Sequence, residues 1–314
     1  MTGKPIKTRR LAGDQAGIAQ AASILRAGGL VAFPTETVYG LGGDARNGEA
    51  VARIFAAKGR PSFNPLIVHV ADIEMAGRYG ILNAAARDLV EGAWPGPVSI
   101  VVPLRPGADL SPLVTAGQDS VALRMPDSPV ALKLLREFGG PLAGPSANPS
   151  GRISPTTADH VLKGLDGRID AVIDAGPTPQ GVESTIIGFL GDRPSLLREG
   201  AFVPSLDDME VETVTTDQPI APGQLASHYA PKASVRLNAT RAHPGEFLLG
   251  FGPVAGDLTL STKGDLVEAA ANLYAALHEC DARDVRKLAV APIPEHGLGR
   301  AINDRLRRAA APRD

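Results

Sequence analysis

Apolar residues follow two alternating patterns along the N-terminal two thirds of the chain: helical spacing in some segments and short continuous runs in others. Residues 14–27 show the helical spacing, with Asp14 as a candidate N-cap and Gly28 directly after the last apolar position. The same criteria predict helices over residues 14–27, 48–58 and 84–91 and after Ser128-Pro129, and strands over residues 30–33, 66–70, 98–102, 121–125, 171–174, 184–189 and 195–198. Because the predicted strands outnumber the helices, this part of the chain should form a mixed sheet with helices packed on it.

The periodicity fades between about Ala201 and Ala233, where prolines such as Pro204, Pro219 and Pro231 accumulate. Connections longer than about 12–15 residues without secondary structure are uncommon in compact proteins unless they carry function. We therefore expect a linker with a role of its own.

The alternation resumes after the linker, with apolar runs over residues 235–237, 247–251, 258–260 and 288–291. Asp265 is a candidate N-cap for a helix whose apolar stripe includes Leu273 and Leu277, and residues 299–310 predict a final basic and polar helix. These elements predict a small α/β domain. The predicted organisation is a larger N-terminal domain over residues 1–206, a linker over residues 207–233 and a smaller C-terminal domain over residues 234–314.

Composition narrows the class of protein. The 314 residues include 32 basic and 34 acidic side chains and one cysteine, Cys280, which excludes an internal disulfide and a cysteine-based zinc site. No apolar run approaches the ~18 residues of a membrane span, and the start of the chain carries no apolar segment of a secretory signal. We expect a cytoplasmic protein that does not bind membranes. Aromatic residues make up only 4 %, so few platforms are available for stacking bases.

Familiar nucleotide and hydrolase motifs are absent. The sequence contains no G-x-x-x-x-G-K-[ST] loop, no H-E-x-x-H and no G-x-S-x-G. The segment from Gly40 to Ala45 fits G-x-G-x-x-A after a strand, but about 20 residues later the chain has Lys58 and Arg60 instead of the acid that would bind a ribose. A dinucleotide site is therefore not predicted.

Polar loops at strand and helix ends hold the remaining candidate chemistry. They supply cations (Lys58, Arg60, Arg124, Arg198) and neutral hydroxyl and amide groups around Pro34–Gly42, Ser146, Asn148 and Ser184. Two cations at a helix end also simply complement the helix dipole, and a lone arginine at a strand end is usually exposed. With no catalytic dyad and no metal-ligand spacing, the set suits binding of a polyanion beside a zwitterion better than covalent catalysis.

Seven short motifs occur in a fixed order: P-T-E-T-V-Y-G-L-G from Pro34, K-G-R-P from Lys58, N-P-L from Asn64, W-P-G-P from Trp94, L-R-M-P from Leu123, S-x-N at Ser146 and Asn148, and G-V-E-S-T-I from Gly181. In this order and spacing they resemble the YrdC-like threonylcarbamoyl-AMP synthases over about residues 10–205. The segment from Pro222 to Pro231 resembles the linker of the two-domain form of that family.

The resemblance implies a reaction in which L-threonine, bicarbonate and ATP give L-threonylcarbamoyladenylate and pyrophosphate. The product would pass to a separate complex that modifies the adenosine next to the tRNA anticodon. The implied fold is mixed α/β: a twisted mixed sheet around a concave basic groove, followed by a small Rossmann-like C-terminal domain. Mg²⁺ would accompany ATP, held by phosphates and water, because the sequence offers no protein cage for it.

The resemblance also implies roles for individual residues. L-threonine would be bound by Thr37, His69, Arg124, Ser146 and Ser184, with Arg124 on its carboxylate. Thr35 is an alternative to Thr37, since both lie on one face if the segment is extended. The nucleotide would be bound by Lys58, Arg60, Asn64, Ser120, Asn148, Ser154, Arg198 and Tyr229, with Lys58 on the phosphates, Lys58 and Arg60 as the catalytic cations, and Tyr229 closing over the site.

Two alternatives remain at this stage. The first is a double-stranded RNA-binding or ribosome-maturation protein that uses the basic groove, because cations also bind RNA. The hydroxyl-rich set and the few aromatics favour a small ligand, leaving at most weak RNA binding. The second is a carbamoyl-transfer domain of the hydrogenase-maturation type, against which the absence of cysteine-rich zinc modules argues.

Overall fold

The computed structural model describes residues 7–204, Ala221 and residues 228–312. Its N-terminal part contains the strands β1 (Arg9–Ala12), β2 (Val31–Pro34), β3 (Tyr39–Asp44), β4 (Ile67–His69), β5 (Val98–Pro103), β6 (Ser120–Arg124), β7 (Leu142–Ala143), β8 (Ala171–Asp174), β9 (Thr185–Gly188) and β10 (Ser195–Arg198). Its helices are α1 (Gln15–Arg26), α2 (Gly48–Lys58), α3 (Ile73–Tyr79), α4 (Ala84–Ala93), α5 (Pro112–Thr115), α6 (Pro129–Phe138) and α7 (Ala158–Leu165).

The strands form one mixed sheet in the order β1-β8-β2-β3-β7-β4-β6-β5-β9-β10. Parallel pairs such as β4–β6 and β5–β9 alternate with antiparallel pairs such as β5–β6 and β3–β7. The mixed sheet predicted from the excess of strands is confirmed.

The two faces of the central strands bury different partners, because successive side chains point to opposite sides. Val68, Ile100 and Leu123 belong to the main hydrophobic core, together with residues of α3 and α4. Ile67 and Ala122 lie on the other face, in a smaller apolar cluster that includes Ala221. This second face also carries the ends of strands β4 and β6, where the polar residues lie.

Side-chain caps fix the helix starts. Asp14, Asn83 and Ser128 accept hydrogen bonds from the backbone of the first turns of α1, α4 and α6, as their positions in the sequence predicted. Gly59 ends α2 in the left-handed region, at φ 59°.

Strand β3 lies where the sequence indicated only a polar, glycine-rich loop. Its glycines lack the apolar alternation that marks a strand, yet they are required by the packing: a Cβ on Gly42 would lie 2.9 Å from the Phe33 ring. The sequence reading also missed the short elements β1, β7, α3, α5 and α7, whose few residues provide too little periodicity.

The C-terminal part contains β11 (Ser234–Arg236), β12 (Phe247–Gly250), β13 (Leu258–Thr259), α8 (Leu266–Ala282), β14 (Lys287–Val290) and α9 (Leu298–Ala310). Its strands form an all-parallel sheet in the order β11-β14-β12-β13. The small α/β unit and the Asp265 cap of α8 agree with the sequence. Helix α9 is not merely basic and polar: it buries Ile302, Arg305 and Leu306.

The C-terminal part packs directly on the N-terminal part. Val38, Ile153 and Val182 share one apolar cluster with Tyr274 and other residues of α8 and α9. Backbones also approach closely: a Cβ on Gly181 would lie 2.4 Å from the carbonyl oxygen of Ala270 in α8.

Most of the predicted linker, residues 207–233, lies outside the described residues, as does the boundary at residue 206. These domain limits stay predictions. Within the described parts of the chain, no helix is both long and apolar enough to cross a membrane.

Candidate active site

A narrow pocket opens on the polar face of the central strands, against the end of the linker. Its water-accessible interior is about 50 Å³. The sequence-predicted residues among its lining are Thr35, Arg60, His69, Arg124, Ser146, Ser184, Arg198 and Tyr229. Segments far apart in the chain therefore converge on one cavity.

His69 and Arg124 are directly paired in the register of the parallel strands β4 and β6, so both side chains lie on the same face. Burial, reinforced by the charge of Arg124, lowers the pKa of His69 to about 3, and its imidazole is neutral at physiological pH. Gly144 leaves room for the ring, because a Cβ there would lie 2.6 Å from Nδ1 of His69.

The buried guanidinium of Arg124 contacts two residues of the segment between β2 and β3. Its Nη2 lies 2.7 Å from Oε1 of Glu36 and donates to Oγ1 of Thr37 at 3.0 Å. Oγ1 of Thr37 is in turn 2.8 Å from Oγ1 of Thr35. The site thus presents a cation, a carboxylate and two hydroxyls within contact of one another.

The segment carrying Thr35 and Thr37 is a hairpin turn, not the extended stretch assumed from the sequence. Strands β2 and β3 pair antiparallel, and the Thr35 hydroxyl donates to the carbonyl of Val38 across the turn. The two hydroxyls lie together because the turn brings them together. Thr35 lines the pocket, whereas Thr37 reaches it through Arg124.

Ser184 and Arg198 form a second group at the start of β9 and the end of β10. Arg198 donates through Nη2 to the carbonyl and the hydroxyl of Ser184, at 2.8 and 3.1 Å. Oγ of Ser184 is also 2.8 Å from Oγ of Ser99. A lone arginine at a strand end is usually exposed, but Arg198 is only 7 % exposed and lines the pocket, because β10 is covered.

Lys58 does not line the pocket but is hydrogen-bonded to the pocket residue Ser146. Its Nζ donates to the carbonyls of Ser146 and Asn148, both at 2.6 Å, and burial lowers its pKa well below the ordinary value. In this arrangement Lys58 holds the Ser146–Asn148 segment. For Lys58 to contact phosphates, its ammonium group would have to exchange these carbonyls for phosphate oxygens.

Ser146 and Asn148 do not face the same cavity, although residues two apart on an extended segment would point the same way. The backbone turns between them, with the Asn148 amide donating to the Ser146 carbonyl. Ser146 lines the pocket, and Asn148 lines a neighbouring cavity between α7 and α8. Asn148 donates through Nδ2 to the carbonyls of Pro149 and Arg152.

Arg60 and Asn64 form a pair inside the loop that follows α2. Nη2 of Arg60 donates to Oδ1 of Asn64 at 2.6 Å and to the carbonyl of Pro65 at 2.8 Å. Burial lowers the pKa of Arg60 to about 10, which still leaves it charged at neutral pH. Arg60 lines the pocket and Asn64 supports it from behind.

The two remaining predicted nucleotide contacts lie outside the pocket lining. Ser120 is the first residue of β6, about 13 Å along the strand from Arg124 at 3.3 Å per residue. Ser154 is buried, and its hydroxyl donates to Glu183 at 2.5 Å. Neither contacts the group around Arg124.

Tyr229 covers one side of the pocket and is almost completely buried. Its backbone is in the left-handed region, at φ 61°, and the guanidinium of Arg305 lies 5.2 Å from its ring centroid. His228 lines the pocket beside it, and burial lowers the pKa of His228 to about 3.

Sequence reasoning missed several residues of the site: Glu36, Ser99, Glu183 and His228. All but Ser99 are direct neighbours of residues that it selected, within T-E-T, V-E-S and H-Y. The carboxylates of Glu36 and Glu183 are both paired with arginines. Among the described residues, no group of three or more His, Cys, Asp or Glu side chains is arranged to hold a metal ion.

Comparison with known proteins identifies the family. A family model for Sua5, YciO and YrdC proteins, described as telomere recombination, matches residues 23–200, and a model described as threonylcarbamoyl-AMP synthase, C-terminal domain, matches residues 196–311. A threonylcarbamoyl-AMP synthase of Bacillus subtilis is 42 % identical, covering 98 % of this chain and 96 % of its own. The chain belongs to the threonylcarbamoyl-AMP synthase family.

Other members of the threonylcarbamoyl-AMP synthase family support the whole-chain match. The protein of Schizosaccharomyces pombe is 36 % identical over 90 % of this chain and 85 % of its own. The crystal structure of Sua5 from Pyrococcus abyssi in complex with L-threonine superposes with a TM-score of 0.88 at 36 % identity, covering 98 % of both chains. The fold expected from the motifs, a mixed sheet followed by a small parallel α/β domain, is confirmed.

Proposed function

We propose that this protein is an L-threonylcarbamoyladenylate synthase, a nucleotidyltransferase that makes threonylcarbamoyl-AMP and pyrophosphate from L-threonine, bicarbonate and ATP. The observation that carries the proposal is the grouping of three buried arginines, Arg60, Arg124 and Arg198, around one pocket otherwise rich in hydroxyls and neutral imidazoles, with the buried Lys58 hydrogen-bonded to the pocket residue Ser146. Such a pocket favours a zwitterion beside a polyphosphate.

The reaction depends on positioning the substrates rather than on a covalent intermediate with the enzyme. The threonine ammonium releases a proton to solvent, and the resulting amine adds to CO₂ derived from bicarbonate, which gives a carbamate and releases a second proton. A carbamate oxygen attacks the α-phosphorus of ATP, and pyrophosphate leaves in line. Catalysis of this kind depends on orientation and on stabilising the developing charge.

Arg124 would bind the threonine carboxylate, because a guanidinium can donate to both of its oxygens. His69 and the hydroxyls of Thr35, Thr37, Ser146 and Ser184 would surround the rest of the amino acid. The neutral His69 adds a hydrogen-bonding group without repelling the threonine ammonium.

The nucleotide would bind on the side of Arg60 and Arg198, close to Tyr229. Asn64 would support Arg60 there, whereas Asn148, Ser120 and Ser154 would contact the nucleotide only where it extends beyond the present pocket lining. Lys58 would reach the phosphates by leaving its two carbonyls. Mg²⁺ would enter as part of the ATP complex, held by phosphate oxygens and water, because Glu36 and Glu183 are already paired with arginines.

The product would be passed to a complex that transfers the threonylcarbamoyl group to tRNA. The RNA-binding alternative is not favoured by the site: phosphate backbones bind exposed cations, and the four cations here are at most 9 % exposed.

The test is pyrophosphate release with each substrate omitted in turn. We expect release only when threonine, bicarbonate and ATP are all present, because the nucleophile is the carbamate. Equal pyrophosphate release without threonine would exclude the proposed function.

A further inference from the structure

Helix α9 of the C-terminal domain inserts one charged side chain into the interface with the N-terminal domain. Arg305 is 1 % exposed, although arginine is rarely buried without a partner. Its Nε donates to Oε2 of Glu183 at 2.9 Å, and its Nη1 donates to the carbonyl of Glu199 at 2.6 Å.

Glu183 lines the active-site pocket and collects donors from both domains. Tyr274 of α8 donates its hydroxyl to the two carboxylate oxygens, at 3.0 and 2.8 Å, and Ser154 of the N-terminal domain donates at 2.5 Å. Burial alone would raise the pKa of Glu183, but the charges of Arg305 and Arg198 and the Ser154 hydrogen bond lower it to about 2. The carboxylate is thus ionised and is stabilised from both domains, with the charge of Arg305 the largest single contribution.

The same helix holds the end of the linker. The guanidinium of Arg305 faces the Tyr229 ring, and the backbone amide of His228 donates to the carbonyl of Arg308, one turn further along α9. On the other side, the amide of Ala230 donates to the carbonyl of Gly151 in the N-terminal domain. Tyr229 is therefore fixed between the two domains.

We propose that Arg305 is a positioning residue of the synthase site, through which the C-terminal domain neutralises Glu183 and fixes Tyr229 over the nucleotide side of the pocket. This proposal rests on the proposed function. Without Arg305, Glu183 would lose its ion-pair partner and keep only Arg198 and two hydroxyl donors, so more of its negative charge would act on the ATP phosphates, and the Tyr229 ring would lose its cationic neighbour.

A positioning role for Arg305 predicts unequal effects on the binding of the two substrates, whereas a role only in packing the two domains together does not. Glu183 contacts Ser154 and lies near Tyr229 and Arg198, all on the nucleotide side, whereas Arg124 has its own carboxylate partner in Glu36. Loss of Arg305 should therefore weaken ATP much more than threonine.

The experiment compares Arg305→Met with Arg300→Met. Arg300 lies on the same helix and pairs with Glu199 across the same interface, but it does not contact Glu183 or Tyr229. We expect Arg305→Met to raise the KM for ATP at least tenfold and to leave the threonine Kd within about threefold, with Arg300→Met close to the unaltered protein in both. Hydrogen exchange at the amides of His228 and Ala230 should accelerate in Arg305→Met alone.

A compensating change keeps the test decisive if Arg305→Met folds poorly. The double variant Glu183→Gln/Arg305→Met also removes the carboxylate charge that Arg305 pairs with. It should recover most of the ATP affinity but not the slow exchange at the His228 amide. Arg305→Lys, which keeps the charge, should have an intermediate KM for ATP.

Equal ATP KM values and equal exchange rates for Arg305→Met and Arg300→Met would overturn the proposal. A double variant as impaired for ATP as Arg305→Met would also overturn it, because charge compensation would then not be the cause. If the unaltered protein releases no threonine-dependent pyrophosphate, the proposed function fails, while the exchange rates and calorimetric binding of a non-hydrolysable ATP analogue still test the role of Arg305.

Discussion

The guanidinium of Arg124 lies 2.7 Å from the carboxylate of Glu36, and both side chains are almost fully buried. The group that we propose as the binding partner of the threonine carboxylate therefore already faces a carboxylate of its own chain. Threonine must either displace Glu36 or share Arg124 with it. The strength of this internal pair consequently affects both stability and substrate binding.

Glu36→Gln should destabilise the protein and make it respond more strongly to threonine. Breaking a buried ion pair by neutralising one partner costs up to about 3–5 kcal/mol, because the remaining charge is uncompensated. An incoming carboxylate would restore the balance, so we expect threonine to raise Tm more in the variant than in the unaltered protein. The matched control is Glu74→Gln, which removes an exposed ion pair with Arg78 and should change stability by less than about 0.5 kcal/mol. A smaller threonine-induced rise in Tm for Glu36→Gln would show that Glu36 assists binding instead.

Arg124→Ala should weaken threonine binding by about 10–150-fold, corresponding to roughly 1.5–3 kcal/mol for a charge-assisted hydrogen bond. ATP binding should be nearly unchanged, since the nucleotide lies on the side of Arg60 and Arg198. Calorimetric titration with each ligand measures both effects, and Arg124→Lys serves as a second variant that keeps the charge opposite Glu36. The reverse pattern, with ATP affected and threonine not, would assign Arg124 to the nucleotide.

Gly181→Ala should loosen the packing between the two domains. At φ 71° an alanine costs roughly 1–2 kcal/mol in backbone strain, and its Cβ would also lie 2.4 Å from a backbone oxygen of α8. Gly176→Ala separates the two effects, because Gly176 has φ 84° but open space around its Cβ position. Denaturant unfolding should therefore show a clearly larger loss for Gly181→Ala. Equal losses would mean that backbone strain alone accounts for both.

Acidification should destabilise the protein from about pH 6.5 downward, before most carboxylates titrate. Burial lowers the pKa of His69, His228 and His278 to about 3 each and also lowers that of His160, so the unfolded chain binds protons that the folded protein excludes. Stability is fully present above the unfolded pKa and is lost as pH falls towards 3, and each excluded proton contributes up to about 1.4 kcal/mol per pH unit to the slope. His278→Gln should reduce this slope by about the contribution of one proton, measured by denaturant unfolding between pH 5 and 6. An unchanged slope would show that His278 takes up a proton in the folded protein.

Much of the site follows from local sequence patterns. The caps at Asp14 and Ser128 and helix α2 depend on spacing within a few residues, which is visible in the sequence, whereas the shared face of His69 and Arg124 depends on the register between β4 and β6. The polar loops stand out because glycine and proline interrupt this periodicity. The burial of Arg198 could not be read from its position at a strand end, because burial depends on what covers a strand and not on its own residues.

Tertiary structure decides which of these groups meet. Glu36 reaches Arg124 because a hairpin turn lies against the end of β6, and Ser146 and Asn148 separate because the backbone turns between them. In the sequence, Arg305 is one of several cations on a basic helix. In the structure, α9 packs against a loop more than a hundred positions earlier in the chain, and Arg305 is the buried partner of Glu183. Periodicity encodes which face of an element is apolar, but the pairing of charges across two domains depends on long-range packing, which leaves no local pattern in the sequence.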